Sequence, residues 1–220
     1  MKIGFLFDND GVLIDSRELH WESWMRLMEE DPTFKITRKE FIESFGKCND
    51  LILQTSFPHV SKIQHIEWAK QKEKFFRTFA FNNLSLLPGM EAFLQKVITA
   101  AIPHTIASSA PRENLEMCLN STPLGRYFDS YLSGEEVEHG KPAPDIFIAA
   151  AKQLGYSPCD CVVFEDAPAG ITAGRTAGAF VVALETTHKR EALFGYDLIY
   201  SSTEKLDLEE ILDAFIKKQK

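Results

Sequence analysis

Cysteine is scarce in this 220-residue sequence, with four residues at positions 48, 118, 159 and 161 and no repeated CxxC pair. Cys159 and Cys161 flank the start of a short strand-like run, and the set reads as reduced thiols in a cytoplasm. Positive charge is also in short supply. Against 32 Asp and Glu there are 24 Lys and Arg, a formal net charge of −8, which excludes a nonspecific grip on nucleic acid because that requires a basic surface. A small phosphorylated metabolite needs only a locally positive pocket and stays compatible. No apolar run approaches the roughly 20 residues that span a membrane, and the chain enters a strand directly rather than through a basic and then apolar leader. Internal repeats and low-complexity tracts are absent. The expectation is a cytoplasmic protein with no membrane partner and no need to be more than a monomer.

What is present is an alternation of apolar runs and helical patterns. Runs suited to buried parallel strands occur at 3–7 ("IGFLF"), 104–108 ("HTIAS"), 161–165 ("CVVFE"), 179–184 ("AFVVAL") and 197–201 ("DLIYS"). Helical stretches such as "EAFLQKVITAA", "APRENLEMCL" and "APDIFIAAAKQLG" lie between them, the last with Gly155 as a C-terminal stop. This alternation predicts an α/β fold with a doubly wound, Rossmann-like parallel sheet. Residues 17–84 break the pattern. They contain no convincing strand, but Ile63, Ile66, Ala69, Phe76 and Phe79 recur at helical spacing, as in a separate helical unit inserted after the first strand. The expected division is therefore 1–16 with 85–220 as the sheet domain and 17–84 as a helical domain, with hinges near Asp15–Arg17 and Ser85–Pro88. Trp21, Trp24, Trp68, Phe75, Phe76 and Phe79 serve as the helical unit's own core, with the lining of a cleft as the alternative. The tail "LDLEEILDAFIKKQK" reads as a closing amphipathic helix.

Two acids, Asp8 and Asp10, follow the first buried run at once. Like charges this close repel, and their desolvation is costly unless a cation or a hydrogen-bond network compensates. Asp8, Asn9, Asp10 and Gly11 are also turn formers, so a simple polar turn is the alternative. A second acidic pair, Glu165 and Asp166, closes another strand. Acids at two strand ends on one sheet face make an all-oxygen site suited to a hard cation such as Mg²⁺; the alternative is that Asp166 only caps the helix after it. Ser108 and Ser109 end a third strand before a helix near Pro111, which is either an anion site or, for Ser109 above all, a cap. Lys141, between Gly140 and Pro142, is either a fixed cation aimed at an anionic substrate or a solvated loop lysine.

In this order the four segments resemble the haloacid dehalogenase-like superfamily over nearly the whole chain. The pattern D-x-D-G-[TV]-[LI]-x-D-[ST] is met by Asp8 through Ser16, and the later motifs fall on Ser108, Lys141, and Glu165 with Asp166. Within it, "DSRELHWESWMRL" and "EDAPAGITAGRTAG" are most similar to the β-phosphoglucomutase-like branch, which includes sugar-phosphate phosphatases. The resemblance implies a phosphatase in which Asp8 attacks phosphorus and forms an aspartyl phosphate, while Asp10 serves as general acid and then base. It implies Mg²⁺ held by a carboxylate oxygen of Asp8, the backbone carbonyl of Asp10 and the Asp166 carboxylate, with Glu165 as ligand or support. Ser108, Lys141 and the backbone N–H groups of Asn9 and Ser109 would cradle the phosphoryl oxygens. The helical insert looks like the family's cap. His20 matches a cap-hinge histidine of the mutases and Lys72 a cap lysine, but Asn49 stands where they carry a phosphate-gripping arginine, with Lys47 nearby as a substitute. A phosphatase is thus the first expectation and a phosphomutase the second. The third is a binding module without turnover, which Asp8→Asn would leave functional.

Overall fold

A computed structural model describes residues 2–219. Its centre is one parallel sheet built from β1 (Gly4–Phe7), β2 (His104–Ser108), β3 (Tyr131–Ser133), β4 (Cys161–Glu165), β5 (Phe180–Leu184) and β6 (Leu198–Tyr200). The order across the sheet is β3-β2-β1-β4-β5-β6, so the chain reverses its winding direction at β1. Open α/β sheets hold ligands at such a reversal, beyond the carboxyl ends of the strands.

Alternation along the strands explains why both faces are covered. Phe5 and Phe7 point to one face and join α5 (Met90–Thr99), α6 (Arg112–Ser121) and α9 (Leu208–Lys218) through Phe93, Leu115 and Phe215. Leu6 points to the other and meets α7 (Asp145–Gln153) and α8 (Pro168–Ala177) through Phe147 and Ile171. Every residue of β1, β4 and β5 is buried. Phe7 stacks on Phe164 with ring centroids 4.4 Å apart, which locks the strand ends that carry Asp8 and Glu165 side by side.

Between β1 and α5 the chain detours through α1 (Arg17–Glu30), α2 (Arg38–Ser44), α3 (Asn49–Ser56) and α4 (Lys62–Ala80). These helices bury their own cluster, including Trp24, Phe34, Phe41, Ile52 and Trp68. The two crossings to this layer run together: Asp15 N–H donates to the Ser85 carbonyl at 3.0 Å and Leu87 N–H to the Leu13 carbonyl at 3.0 Å. No helix among the described residues is long and apolar enough to cross a membrane.

Two features depart from the sequence reading. The edge strand β3 was not expected, because three residues are too few to show a period. Ile63 and Ile66, which share the apolar spacing of α4, are 75 % and 42 % exposed; the face of α4 that packs inward begins with His65 and Trp68. All four cysteines are unpaired thiols, Cys161 buried within β4 and Cys159 exposed just before it.

Candidate active site

Strand register brings the acids together. Phe7 pairs with Phe164, so Asp8 and Glu165 leave the sheet side by side, and Asp8 N–H donates to the Phe164 carbonyl at 3.0 Å. Carboxylate oxygens of Asp8, Glu165 and Asp166 all lie within 4.8 Å of one another. Lys141 reaches into this group from the loop before α7 and is 1 % exposed. Its ammonium donates to Asp8 Oδ1 at 2.5 Å, to Glu165 Oε1 at 2.7 Å and to the Ala107 carbonyl at 3.2 Å. Burial would favour loss of the lysine proton, but Asp8 and Glu165 outweigh it and hold the ammonium above its usual range.

One lysine does not balance three buried acids. Burial, with Glu165 and Asp10 nearby, pushes the Asp8 carboxyl up to about 7 despite Lys141. Burial and the charges of Glu165 and Asp8 raise Asp166 well above the carboxylate range. Asp166 is fully buried, and neither of its carboxylate oxygens has a hydrogen-bond partner. Unpartnered buried carboxylate oxygens beside a second carboxylate are what a hard divalent cation requires, so the residues present fit Mg²⁺. Glu165 is committed elsewhere: Oε1 to Lys141, and Oε2 to the backbone N–H groups of Asp166 at 3.0 Å and Ala167 at 3.1 Å. It supports Lys141 and the Asp166 loop, which leaves Asp8 and Asp166 with oxygens free to hold an ion. Gly170 makes room for this: a Cβ there would lie 1.7 Å from Glu165 Oε1.

Asp10 sits across the cleft in a different environment. Burial opposes its charge, but hydrogen bonds from His20, Ser16 and Asn9 prevail and lower its carboxyl to about 2. Ser16 Oγ donates to Asp10 Oδ1 at 2.5 Å, and His20 Nε2 lies 3.1 Å from the same oxygen. Asn9 Nδ2 approaches Asp10 Oδ2 at 3.3 Å, and Asn9 Oδ1 is buried without a partner. Ser108 is buried, its Oγ accepting from Ala110 N–H at 3.1 Å, and Ser109 Oγ donates to the Gly46 carbonyl at 3.3 Å.

The helical layer closes over these groups and leaves a narrow cleft of about 60 Å³, lined by Asp8, Asp10, Ser108, Lys47 and Trp24 among others. Lys47 and Asn49 are half-buried at its wall. Lys72 also borders the cleft but is 3 % exposed, and its ammonium is taken by Glu73 Oε1 at 2.8 Å and His20 Nδ1 at 2.7 Å. Asn49 Nδ2 donates to the same Glu73 oxygen at 2.6 Å. Lys47 is thus the lysine of this wall that forms no ion pair among the described residues.

Sequence reasoning missed Glu73, Asn114 and His188. Glu73 beside Lys72 looks like an ordinary exposed ion pair on a helix, and Asn114 like any polar residue of α6. His188 bridges the Asp166 carbonyl (Nδ1, 3.1 Å) and the Ile42 carbonyl (Nε2, 3.0 Å), and its burial lowers its basicity. Nothing local in the sequence signals any of these.

The family model for haloacid dehalogenase-like hydrolases matches residues 5–184. Hexitol phosphatase A of Escherichia coli (strain K12) is 33 % identical over 216 residues, covering 92 % of this chain and 92 % of its own. A chloroplastic 5-amino-6-(5-phospho-D-ribitylamino)uracil phosphatase of Arabidopsis thaliana is 28 % identical over 96 % of this chain, which spans 58 % of that relative's length. The crystal structure of a β-phosphoglucomutase from Clostridium difficile superposes with a TM-score of 0.85 at 27 % identity, covering 100 % of this chain and 99 % of that one. A family model that runs from the first strand to the end of the fifth, with a relative one-third identical along nearly its full length, settles the kinship: this chain belongs to the haloacid dehalogenase-like hydrolases.

Proposed function

We propose that this protein is a Mg²⁺-dependent phosphatase of small phosphorylated metabolites, sugar phosphates foremost, acting through an aspartyl phosphate on Asp8 beneath a cap formed by residues 17–84. The observation that carries the reading is the asymmetry between two neighbouring carboxylates: Asp8 is clamped by Lys141 beside an unpartnered Asp166, while Asp10 is held apart by Ser16 and His20. Phosphatase relatives support it.

Mg²⁺ would be held by Asp8, the Asp10 carbonyl and Asp166, and supplies charge neutralisation that lets a phosphate dianion approach a carboxylate. A free Asp8 oxygen attacks phosphorus as the bond to the ester oxygen breaks, and Asp10 gives that oxygen its proton. Water then attacks the phosphorus of the aspartyl phosphate and yields its proton to Asp10, releasing inorganic phosphate and restoring Asp8. Asp10 is ionised in the empty cleft; the negative phosphoryl group arriving beside it raises its proton affinity, and Asp10 takes up one proton from solvent before the ester bond breaks. Lys141, Ser108 and the N–H groups of Asn9 and Ser109 hold the phosphoryl oxygens. A phosphomutase is the second reading, favoured by the His20–Lys72 pair on Asp10 and by likeness to a β-phosphoglucomutase. Against it, Asn49 is turned to Glu73, and among the described residues no arginine lines the cleft to grip a second phosphate.

The test is incubation with Mg²⁺ and a panel of sugar and polyol monophosphates, including β-glucose 1-phosphate, following free phosphate and isomerised sugar together. Phosphate release that stops on chelation and in Asp8→Asn is the expected result. Glucose 6-phosphate formed without phosphate release identifies the mutase, and full function in Asp8→Asn identifies a binding module.

A further inference from the structure

Asp10 is joined to the far edge of the cap by an unbroken line of buried side chains. His20 on α1 faces Asp10, Lys72 on α4 faces His20, and Glu73 faces Lys72. The second oxygen of Glu73, Oε2, accepts from Asn114 Nδ2 at 2.6 Å, and Asn114 belongs to α6 of the sheet domain. Asn114 Oδ1 accepts from Arg77 Nη1 at 2.9 Å, one turn along α4, and Arg77 pairs with Glu113 at 2.8 Å. His20, Lys72, Glu73 and Asn114 are 9, 3, 6 and 1 % exposed. The line His20–Lys72–Glu73 therefore belongs to the cap and touches the sheet domain at both ends, on Asp10 and on Asn114.

Its donor and acceptor senses are forced. An ammonium only donates, so His20 accepts at Nδ1 and carries its proton on Nε2, directed at Asp10. A guanidinium also only donates, so Asn114 must turn its oxygen to Arg77 and its amide to Glu73. That arrangement requires an acceptor at Glu73 Oε2. An ionised carboxylate meets both demands, and despite burial the Lys72 ammonium, with hydrogen bonds from Lys72 and Asn49, holds the Glu73 carboxyl below its usual range.

We propose that Glu73 is a positioning residue that couples docking of the cap on α6 to the orientation of Asp10. One oxygen latches the cap to Asn114, and the other holds the Lys72 ammonium that sets His20 and, through it, the general acid. The inference rests on the phosphatase reading for the role of Asp10, and on geometry alone for the latch.

The experiment compares two esters with the full chain and Mg²⁺: a polyol monophosphate, whose alkoxide leaves only when protonated, and 4-nitrophenyl phosphate, whose phenolate leaves unaided. Glu73→Gln is expected to lower kcat/KM about tenfold to hundredfold for the first and about threefold or less for the second. Asn114→Ala, which removes the latch together with the acceptor of Arg77, is expected to show the same substrate dependence. The double variant Glu73→Gln with Asn114→Asp exchanges donor for acceptor across the interface while Arg77 keeps an acceptor, and restores the alkyl-ester rate. Equal losses on both esters, or a double variant no better than Glu73→Gln, overturn the proposal. Wild-type protein that hydrolyses neither ester overturns the phosphatase reading instead. The latch is then read by amide hydrogen exchange, where Glu73→Gln raises exchange at 44–49 and 112–118 together; unchanged exchange there overturns it.

Discussion

At the scale of single residues, the site is governed by the cost of burying charge. Among the described residues Lys141 is the one fixed cation between Asp8 and Glu165, and all three are almost wholly buried. Removing one member of such a group leaves the others uncompensated, which costs more than the group ever contributed to stability. Lys141→Met is therefore expected to destabilise the metal-free protein by about 3 kcal/mol at neutral pH, measured by urea unfolding. The loss should shrink at lower pH, where Asp8 takes up a proton. A loss that is the same at both pH values would mean that Lys141 does not compensate Asp8.

At the scale of elements, the layer of helices α1–α4 meets the sheet's loops in one close backbone approach. Gly46, between α2 and α3, has φ +89°, and a Cβ there would stand 2.4 Å from that of Ala167. The Ser109 hydroxyl donates to the Gly46 carbonyl and His188 faces the neighbouring Ile42 carbonyl, so this loop rests directly over the Asp166 turn. Gly46→Val is expected to prop the cap open and lower kcat/KM by about tenfold or more. The left-handed backbone adds about 1–2 kcal/mol of strain, which for a chain of this size lowers the melting temperature by only a few degrees. A variant with unchanged kcat/KM would show that closure at this loop is not needed for turnover.

At the scale of the whole molecule, stability should depend on pH and metal together. Asp8 titrates near 7 in the metal-free protein against 3.8 for a free carboxyl, and Asp166 is raised as well. The folded state then binds more protons than the unfolded chain, so these groups' contribution falls as pH rises from about 4 through about 7. Asp10 and Glu73 act in the opposite sense: both lie near 2, and their contribution is lost only as pH falls towards that value. Mg²⁺ competes with protons at Asp8 and Asp166, so the rise in melting temperature on adding it should be larger near pH 8 than near pH 5. Equal increments at both would speak against these carboxylates as its ligands.

The sheet and the polar cluster at its carboxyl edge were readable along the chain because each rests on short, contiguous patterns. Runs such as "GFLF" and "CVVFE" must be buried on both faces, and acids directly after them have nowhere to go but the strand ends. The helical character of residues 17–80 was readable for the same reason, as a long tract with one period and no strand. β3 was not, since three residues carry no period, and neither was the exposure of Ile63 and Ile66. What only the tertiary structure decided is which charges cancel. Lys72 and Asn49 look available to a substrate in the sequence, yet Glu73 takes both. The partner that completes that carboxylate, Asn114, lies 41 positions away, brought there by two helices packing across the cleft. Local patterns set where a side chain stands relative to its own element; hydrogen-bond partners far apart in the chain are chosen by packing, and packing has no local signature.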